Sequence, residues 1–239
     1  MYRERAELSQ MELELEIGAS PGSLSRIENG QTNPTKETII LLGRALKLDG
    51  NEIISLFGIE FDIHNKLADV LLAISDNNNS DKLLMSFVKE VEEKLGYITV
   101  AAFTWKGDRL YARYLNINDI NKKALELIGV PFDSLYVSRK KNEDNLILRS
   151  AVEQSYFESD NIIDFSRGAI NDSIIKIIAK MINFKSGIAY PLSYKDHALG
   201  AIYLGKSNKS DYRDEMKMIN TIAMTISRQI FLNNMLNAK

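Results

Sequence analysis

The sequence predicts an α+β chain: an all-helical N-terminal part, then an antiparallel sheet flanked by helices. Three observations carry this. Between Leu8 and Gly30 the caps and breakers are those of two short helices joined by a tight turn. The runs 97–115 and 187–205 each read as strand, polar turn, strand. The chain then closes on an apolar-periodic helix over roughly 211–236.

In the helical part, Ser9 is a good N-cap, and Gln10, Leu13 and Ile17 follow at helical spacing until Gly18 stops the helix. Ser20-Pro21 reads as an N-cap followed by proline at the first helical position, where its missing N–H costs nothing. Leu24 and Ile27 give this second helix one apolar stripe, and Asn29-Gly30 ends it. Its opposite side carries Gly22, Ser23 and Arg26, small or polar enough to approach base edges. A helix from Thr35 presents Ile39, Leu41, Leu42 and Leu46, and a short one covers 51–57. The boundary is expected near Gly58, with a linker at 60–62, so that the domains are 1–59 and 64–239.

The second part opens with a helix at 67–74, broken at 77–81, and a helix at 81–95 burying Leu84, Phe87, Val88, Val91 and Leu95. Strands at 97–105 and 109–115 flank Lys106-Gly107-Asp108. A poorly patterned middle holds a helix at 120–128, a strand at 135–139, helical stretches to 154 and a helix at 170–182. The second hairpin pairs 187–193 with 199–205 around Lys195-Asp196-His197. Gly200 inside a strand marks a bulge or a close backbone approach.

Composition narrows the function. With 239 residues, 45% hydrophobic and 26% charged, the chain is ordinary globular material. It has no cysteine, which excludes disulfides, thiolate nucleophiles and Cys-ligated metal. With only His64 and His197, and no spaced carboxylate loop, no metal site and no cofactor are expected. No Ser/His/Asp set, phosphate-cradling glycine loop or carboxylate pair points to catalysis, so no enzyme is expected. No segment reaches the length of a membrane span and no signal peptide opens the chain, so the expected compartment is the cytoplasm. Residues 1–60 hold six Lys/Arg against ten Asp/Glu, a balance of −4, the wrong sign for a strong phosphate binder.

Leu8-Ser9-Gln10, Glu12-Leu13, Ile17-Gly18, Leu24-Ser25-Arg26-Ile27-Glu28-Asn29-Gly30 and Asn33-Pro34 resemble the XRE or Cro/repressor-type helix-turn-helix family. The resemblance implies that Gln10 touches a phosphate or base, and that Pro21, Gly22, Ser23 and Arg26 lie on the groove-facing side of a recognition helix. It places Thr32 and Asn33 on the DNA backbone, and pairs Arg3 with Glu28 as a brace. Relatives start their first helix about two turns earlier, so a short one is expected here. Glu14 stands where they place a small residue. A carboxylate there is expected either to turn outward or to cost stability.

From residue 64 onward, the element order and the run Ile188-Ala189-Tyr190-Pro191-Leu192, turn, Leu199-Gly200-Ala201-Ile202-Tyr203-Leu204 resemble the GAF domain. That resemblance implies a sensory and dimerising module whose sheet has helices on one side and an irregular roof over a ligand pocket on the other. Phe103, Tyr111, Phe157, Phe165, Ile188, Tyr190 and Tyr203 are its candidate lining. Asn208-Lys209 with Asp214-Glu215 is read as a turn and a helix start. Tyr212, Met216, Ile219, Ile222, Ala223, Ile226 and Ile230 form a stripe that either packs on its own sheet or joins Leu67, Leu71 and Ile74 in an intersubunit bundle; Phe231, Met235 and Leu236, hard to bury in one subunit, favour a homodimer. The function these resemblances imply is a ligand-sensing transcription regulator reading a palindromic operator on double-stranded DNA, with a small-molecule effector and no membrane partner. The alternative is a signalling or adaptor protein whose helical head contacts a protein.

Overall fold

Caps decide where the first helices begin and end. In the computed structural model, which describes residues 2–48, 52–53, 56, 61–77, 79–209 and 212–237 (backbone only at 61–64 and 237), helix α1 is the single turn Tyr2–Arg5. Helix α2 (Gln10–Ile17) starts at Ser9, whose Oγ accepts from the Glu12 N–H at 3.2 Å, while the Glu12 carboxylate accepts from the Ser9 N–H at 2.8 Å. This reciprocal box satisfies two otherwise orphaned donors. Helix α3 (Ser23–Glu28) begins later than the Ser20-Pro21 signal predicts. Residues 20–22 form a turn closed by the Ser23 N–H on the Ser20 carbonyl at 3.0 Å, and Gly22 holds φ at +76°, which a side chain would resist. Its other end is as expected: the N–H groups of Gly30 and Gln31 bond the carbonyls of Ile27 and Arg26 at 3.0 and 2.8 Å, closing the helix by the Schellman pattern.

Helix α4 (Lys36–Ala45) is capped by Thr35 and buries Ile39 and Leu42, while Leu41, one step round the helix, is exposed. Leu13, Ile17, Leu24 and Leu42 make the small core that holds the two motif helices together. Burying each of these side chains contributes roughly 1.5–3 kcal/mol. The predicted helix at 51–57 falls mostly outside the described residues, as do Gly58 and Glu60. Asp62 lies not in a linker but in helix α5 (Phe61–Ser75), a stretch without Gly or Pro.

Contacts divide the chain into two units, Met1–Asn65 and Lys66–Lys239. The second is built on a six-stranded antiparallel sheet in the order β3-β2-β1-β6-β5-β4. Its strands are β1 (Thr99–Lys106), β2 (Arg109–Leu115), β3 (Tyr136–Ser138), β4 (Phe157–Ser159), β5 (Ser186–Tyr194) and β6 (His197–Lys206). Lys195 and Asp196, with φ of 47° and 63°, make the tight two-residue link between β5 and β6, so His197 opens a strand rather than sitting in the turn.

Both faces of this sheet are covered. On one, α5, α6 (Ser80–Leu95) and α11 (Met216–Asn237) pack over Val100, Ala102, Ile188, Leu192, Ile202 and Leu204. On the other lie α7 (Asp119–Ile128), α8 (Leu146–Glu153), α9 (Ile163–Ser166) and α10 (Asp172–Met181), over Ala101, Ala189, Ala201 and Tyr203. The alternation follows from the period-two direction of strand side chains. Buried Asn145 pins this second cover: its Oδ1 accepts from the Ile147 and Leu148 N–H groups, and its Nδ2 donates to the carbonyls of Phe165 and Arg167 at 2.9 and 3.0 Å.

The stripe of α11 is used within its own subunit. Ile219, Ile222, Ala223, Ile226 and Ile230 are buried in the first core with Ile74, and Phe231 rests on Tyr194 at 5.2 Å between ring centroids. Among the described side chains of α5 and α11, Leu72, Met224, Leu232, Met235 and Leu236 are left outward.

Candidate nucleic-acid interface and internal cavity

The outward side of α3 is set by what α2 does for it. Glu14 neither turns outward nor lies unpaired. It is buried at 6% exposure, and its carboxylate accepts from the N–H groups of Leu24 at 2.8 Å and Gly22 at 3.1 Å, with the Ser23 hydroxyl at 3.4 Å. A carboxylate from a neighbouring helix thus serves as the N-terminal cap that Gly22 cannot supply, and it meets the positive end of the helix dipole. These bonds, that from Leu24 first, hold its acid below the ordinary glutamate value, against the opposing effect of burial. At the other end Glu28 takes Arg3 in two parallel bonds, 2.8 and 3.2 Å long, as the family resemblance implies, and a third from the Gln10 amide. The Arg3 bond foremost lowers its acid too.

Both acids have folded values below the ordinary 4.5. Such groups stabilise the fold above the unfolded value, and that stability disappears as pH falls through the folded values. The first unit is therefore expected to lose stability below about pH 4.5, and Glu14→Gln, which keeps an acceptor but not the charge, to flatten that acid loss. Amide exchange of the Leu24 N–H across pH 3–7 measures it; parallel profiles for the two proteins would refute the capping role.

Of the residues expected at DNA, Pro21, Gly22, Arg26, Thr32 and Asn33 are exposed together at and beyond the ends of α3. Gln10 and Ser23 are engaged within the unit. Both are partly buried and their polar groups rest on Glu28 and Glu14, because carboxylates within reach attract the nearest donors. Of the unit's cations, Arg3 and Arg5 are paired with Glu28 and Glu52. Arg26 is exposed, and no carboxylate among the described residues pairs with it.

Between the sheet and its cover of short helices lies a cavity of about 120 Å³. Of the candidate lining residues, Phe103, Phe165 and Tyr203 stand at its wall. Ile188 and Tyr190 do not: their parity on β5 turns them to the opposite face, where Ile188 is buried and Tyr190 donates to Asn220 at 3.0 Å. Tyr111 is likewise turned away from its neighbours Leu110 and Ala112, which do line the cavity, and packs on Tyr136. Phe157 sits on the edge strand with Arg149 over its ring at 4.2 Å. The remaining wall comes from residues that sequence reasoning missed, among them Ala124 and Ile178, which carry only apolar helix spacing, and Thr99 and Phe132, on a strand and in a short turn, which carry no signal at all.

No Asp, Glu, Lys, Arg or His is among the lining residues. Asn121 and Ser166 are bonded to main-chain carbonyls, as is Asn145. The Tyr203 and Thr99 hydroxyls are buried without a partner. Burial pushes the Tyr203 hydroxyl well above the usual tyrosine value, so it keeps its proton.

Residues 1–53 match a helix-turn-helix family model, HTH_3. The second unit has the GAF fold. It is similar to the GAF domain of a phosphoenolpyruvate-protein phosphotransferase from Acinetobacter, with a TM-score of 0.53 and 9% identity, covering 74% of this chain and 98% of that one. The A. aeolicus nlh2 GAF domain in an inactive state gives 0.54 and 13%, covering 72% and 98%. Free methionine-R-sulfoxide reductase from Neisseria meningitidis, in complex with its substrate, gives 0.53 and 10%, covering 73% and 91%. At these identities the likeness is one of fold. No curated protein matches the chain. Against the GAF expectation of helices on one side of the sheet, helices pack on both faces, the irregular middle having folded into four short ones.

Proposed function

We propose that this protein is a DNA-binding transcription regulator, not an enzyme, whose helix-turn-helix unit reads duplex and whose GAF-fold unit senses a small molecule and dimerises. The observation that carries the reading is the exposed Arg26 on a recognition helix whose two ends are fixed by Glu14 and by the Arg3–Glu28 pair, within the segment matching the helix-turn-helix family. Pro21, Gly22, Thr32 and Asn33 flank that arginine as groove and backbone contacts; Gln10 and Ser23 join them only by leaving their carboxylates. The domains that divide this work are 1–59 and 64–239. A homodimer would form through the outward apolar residues of α5 and α11, Leu72, Met224, Leu232, Met235 and Leu236, rather than through the buried stripe. Dimeric heads of this kind read half-sites about 34 Å apart on a palindromic operator. An effector regulates such a dimer only if it binds two arrangements of the heads with different affinity.

Selection of duplexes from a random pool, followed by band shifts across a salt series, tests the reading. A sequence-selective complex is expected at low salt, with a shallow salt dependence because Arg26 is the single cation of α3. Absence of any selective complex would overturn it. The acidic balance of the first unit favours one second reading, an adaptor whose helical head docks on a protein. It predicts partner recruitment that survives the loss of Arg26.

A further inference from the structure

We infer that the cavity takes an uncharged, largely apolar molecule about the size of one substituted aromatic ring, presenting a single hydroxyl or carbonyl to Tyr203 and Thr99. The inference rests on reading the second unit as a sensor and names the chemistry of what it senses. Three observations on the wall converge on this class.

Size comes first. A cavity of about 120 Å³ is close to the engineered void, about 150 Å³, known to admit benzene. A nucleotide or a tetrapyrrole does not fit without rebuilding the cover. Charge comes second. The wall carries no ionisable cation or anion besides the tyrosine hydroxyls, and an ion transferred into such a site leaves its hydration uncompensated. Anionic ligands, cyclic nucleotides among them, are thereby excluded.

The third observation fixes the polar end. Tyr203 is 95% buried by its 5% exposure, lies against Phe165 at 4.8 Å between centroids, and its hydroxyl has no partner. The Thr99 hydroxyl, on the neighbouring strand where Thr99 pairs with Gly205, has none either. Tyr203 lies over Gly187 and Gly205: a Cβ at Gly187 would stand 2.9 Å from its ring, and one at Gly205 3.0 Å from its hydroxyl. Two glycines thus leave room for a tyrosine whose hydroxyl finds nothing in its own protein. Buried hydroxyls left unmade are costly, and an apolar void leaves its wall without dispersion partners. A ring bearing one hydroxyl relieves both.

Calorimetry on the full chain with phenol, benzene and benzoate tests this. Phenol is expected to bind, benzene about tenfold more weakly for want of the hydrogen bond, and benzoate not measurably. Tyr203→Phe should erase the preference for phenol and raise the melting temperature of the ligand-free protein, since an orphaned hydroxyl is gone. Ala124→Leu, which fills the cavity from α7, should abolish binding of both rings and needs no change at Tyr203. The inference is overturned if benzoate binds as phenol does, if the preference survives Tyr203→Phe, or if neither ring binds. Band shifts of the same samples separate it from the proposed function: loss of DNA binding alone refutes the regulator and leaves the cavity chemistry standing.

Discussion

Replacing Arg26 by alanine is expected to weaken the sequence-selective complex with duplex DNA about ten- to a hundredfold while leaving the fold intact. The expectation comes from counting what is available. Residues 1–60 carry six cations against ten acids, so little non-specific attraction exists to mask one lost contact. Arg3 and Arg5 are committed to Glu28 and Glu52. Lys36, Arg44 and Lys47 are exposed but lie beyond the motif, in or just after α4. Arg26 alone of the cations lies within α3, on its exposed side, and removing an exposed side chain there creates neither a cavity nor an orphaned buried group. Arg26→Lys should recover only part of the affinity, because an ammonium cannot reproduce a two-pronged contact. Band shifts at one fixed salt concentration, with helicity as the folding control, give the comparison. Equal affinity for wild type and Arg26→Ala would move the proposed function to the adaptor reading.

What could be read in the residues, and what could not, divides along the range of the interactions. Ser9, Gly18, Asn29-Gly30 and Thr35 announce helix ends because a cap is decided within four residues. Both hairpins were legible for the same reason. Ser20-Pro21 misled, since a proline fits a turn as well as a helix start and Gly22 decides between them. Glu14 looked like a defect because its partners, the Gly22 and Leu24 N–H groups, belong to another helix. β4 escaped notice because Phe157-Glu158-Ser159 has one apolar side chain, whereas the equally short β3 sits in the apolar run Leu135-Tyr136-Val137. The pocket lining was half legible. Where helices cover both faces, both parities of a strand are apolar, so Ile188 and Ala189 look alike in sequence although they face opposite cores. The stripe on α11 posed the same difficulty, since periodicity shows that a face is buried and not what covers it.

Gly200→Ala is expected to destabilise the GAF-fold unit by more than about 3 kcal/mol, among the largest losses available to a single methyl group. A Cβ at this position would stand 1.9 Å from the Phe103 carbonyl oxygen, 2.9 Å from its carbon and 3.1 Å from the Thr104 Cα. The obstructing atoms are main chain of β1, which is paired with β2 on one side and β6 on the other, so no side chain can swing aside. Gly200 also holds φ at +155° next to the irregular step in the β5–β6 pairing at Leu192/Ser193. Gly96 provides the control: its φ is +74°, but nothing lies within 4 Å of its missing Cβ. Gly96→Ala should therefore carry only the cost of a left-handed backbone, about 1–2 kcal/mol. Trp105, the chain's single tryptophan, stands two residues from Phe103 on β1 and reports unfolding of this unit by fluorescence in urea. A loss at Gly200 no greater than that at Gly96 would mean that β1 can yield, and the close approach of the two central strands would then be no fixed feature of the sheet that floors the cavity.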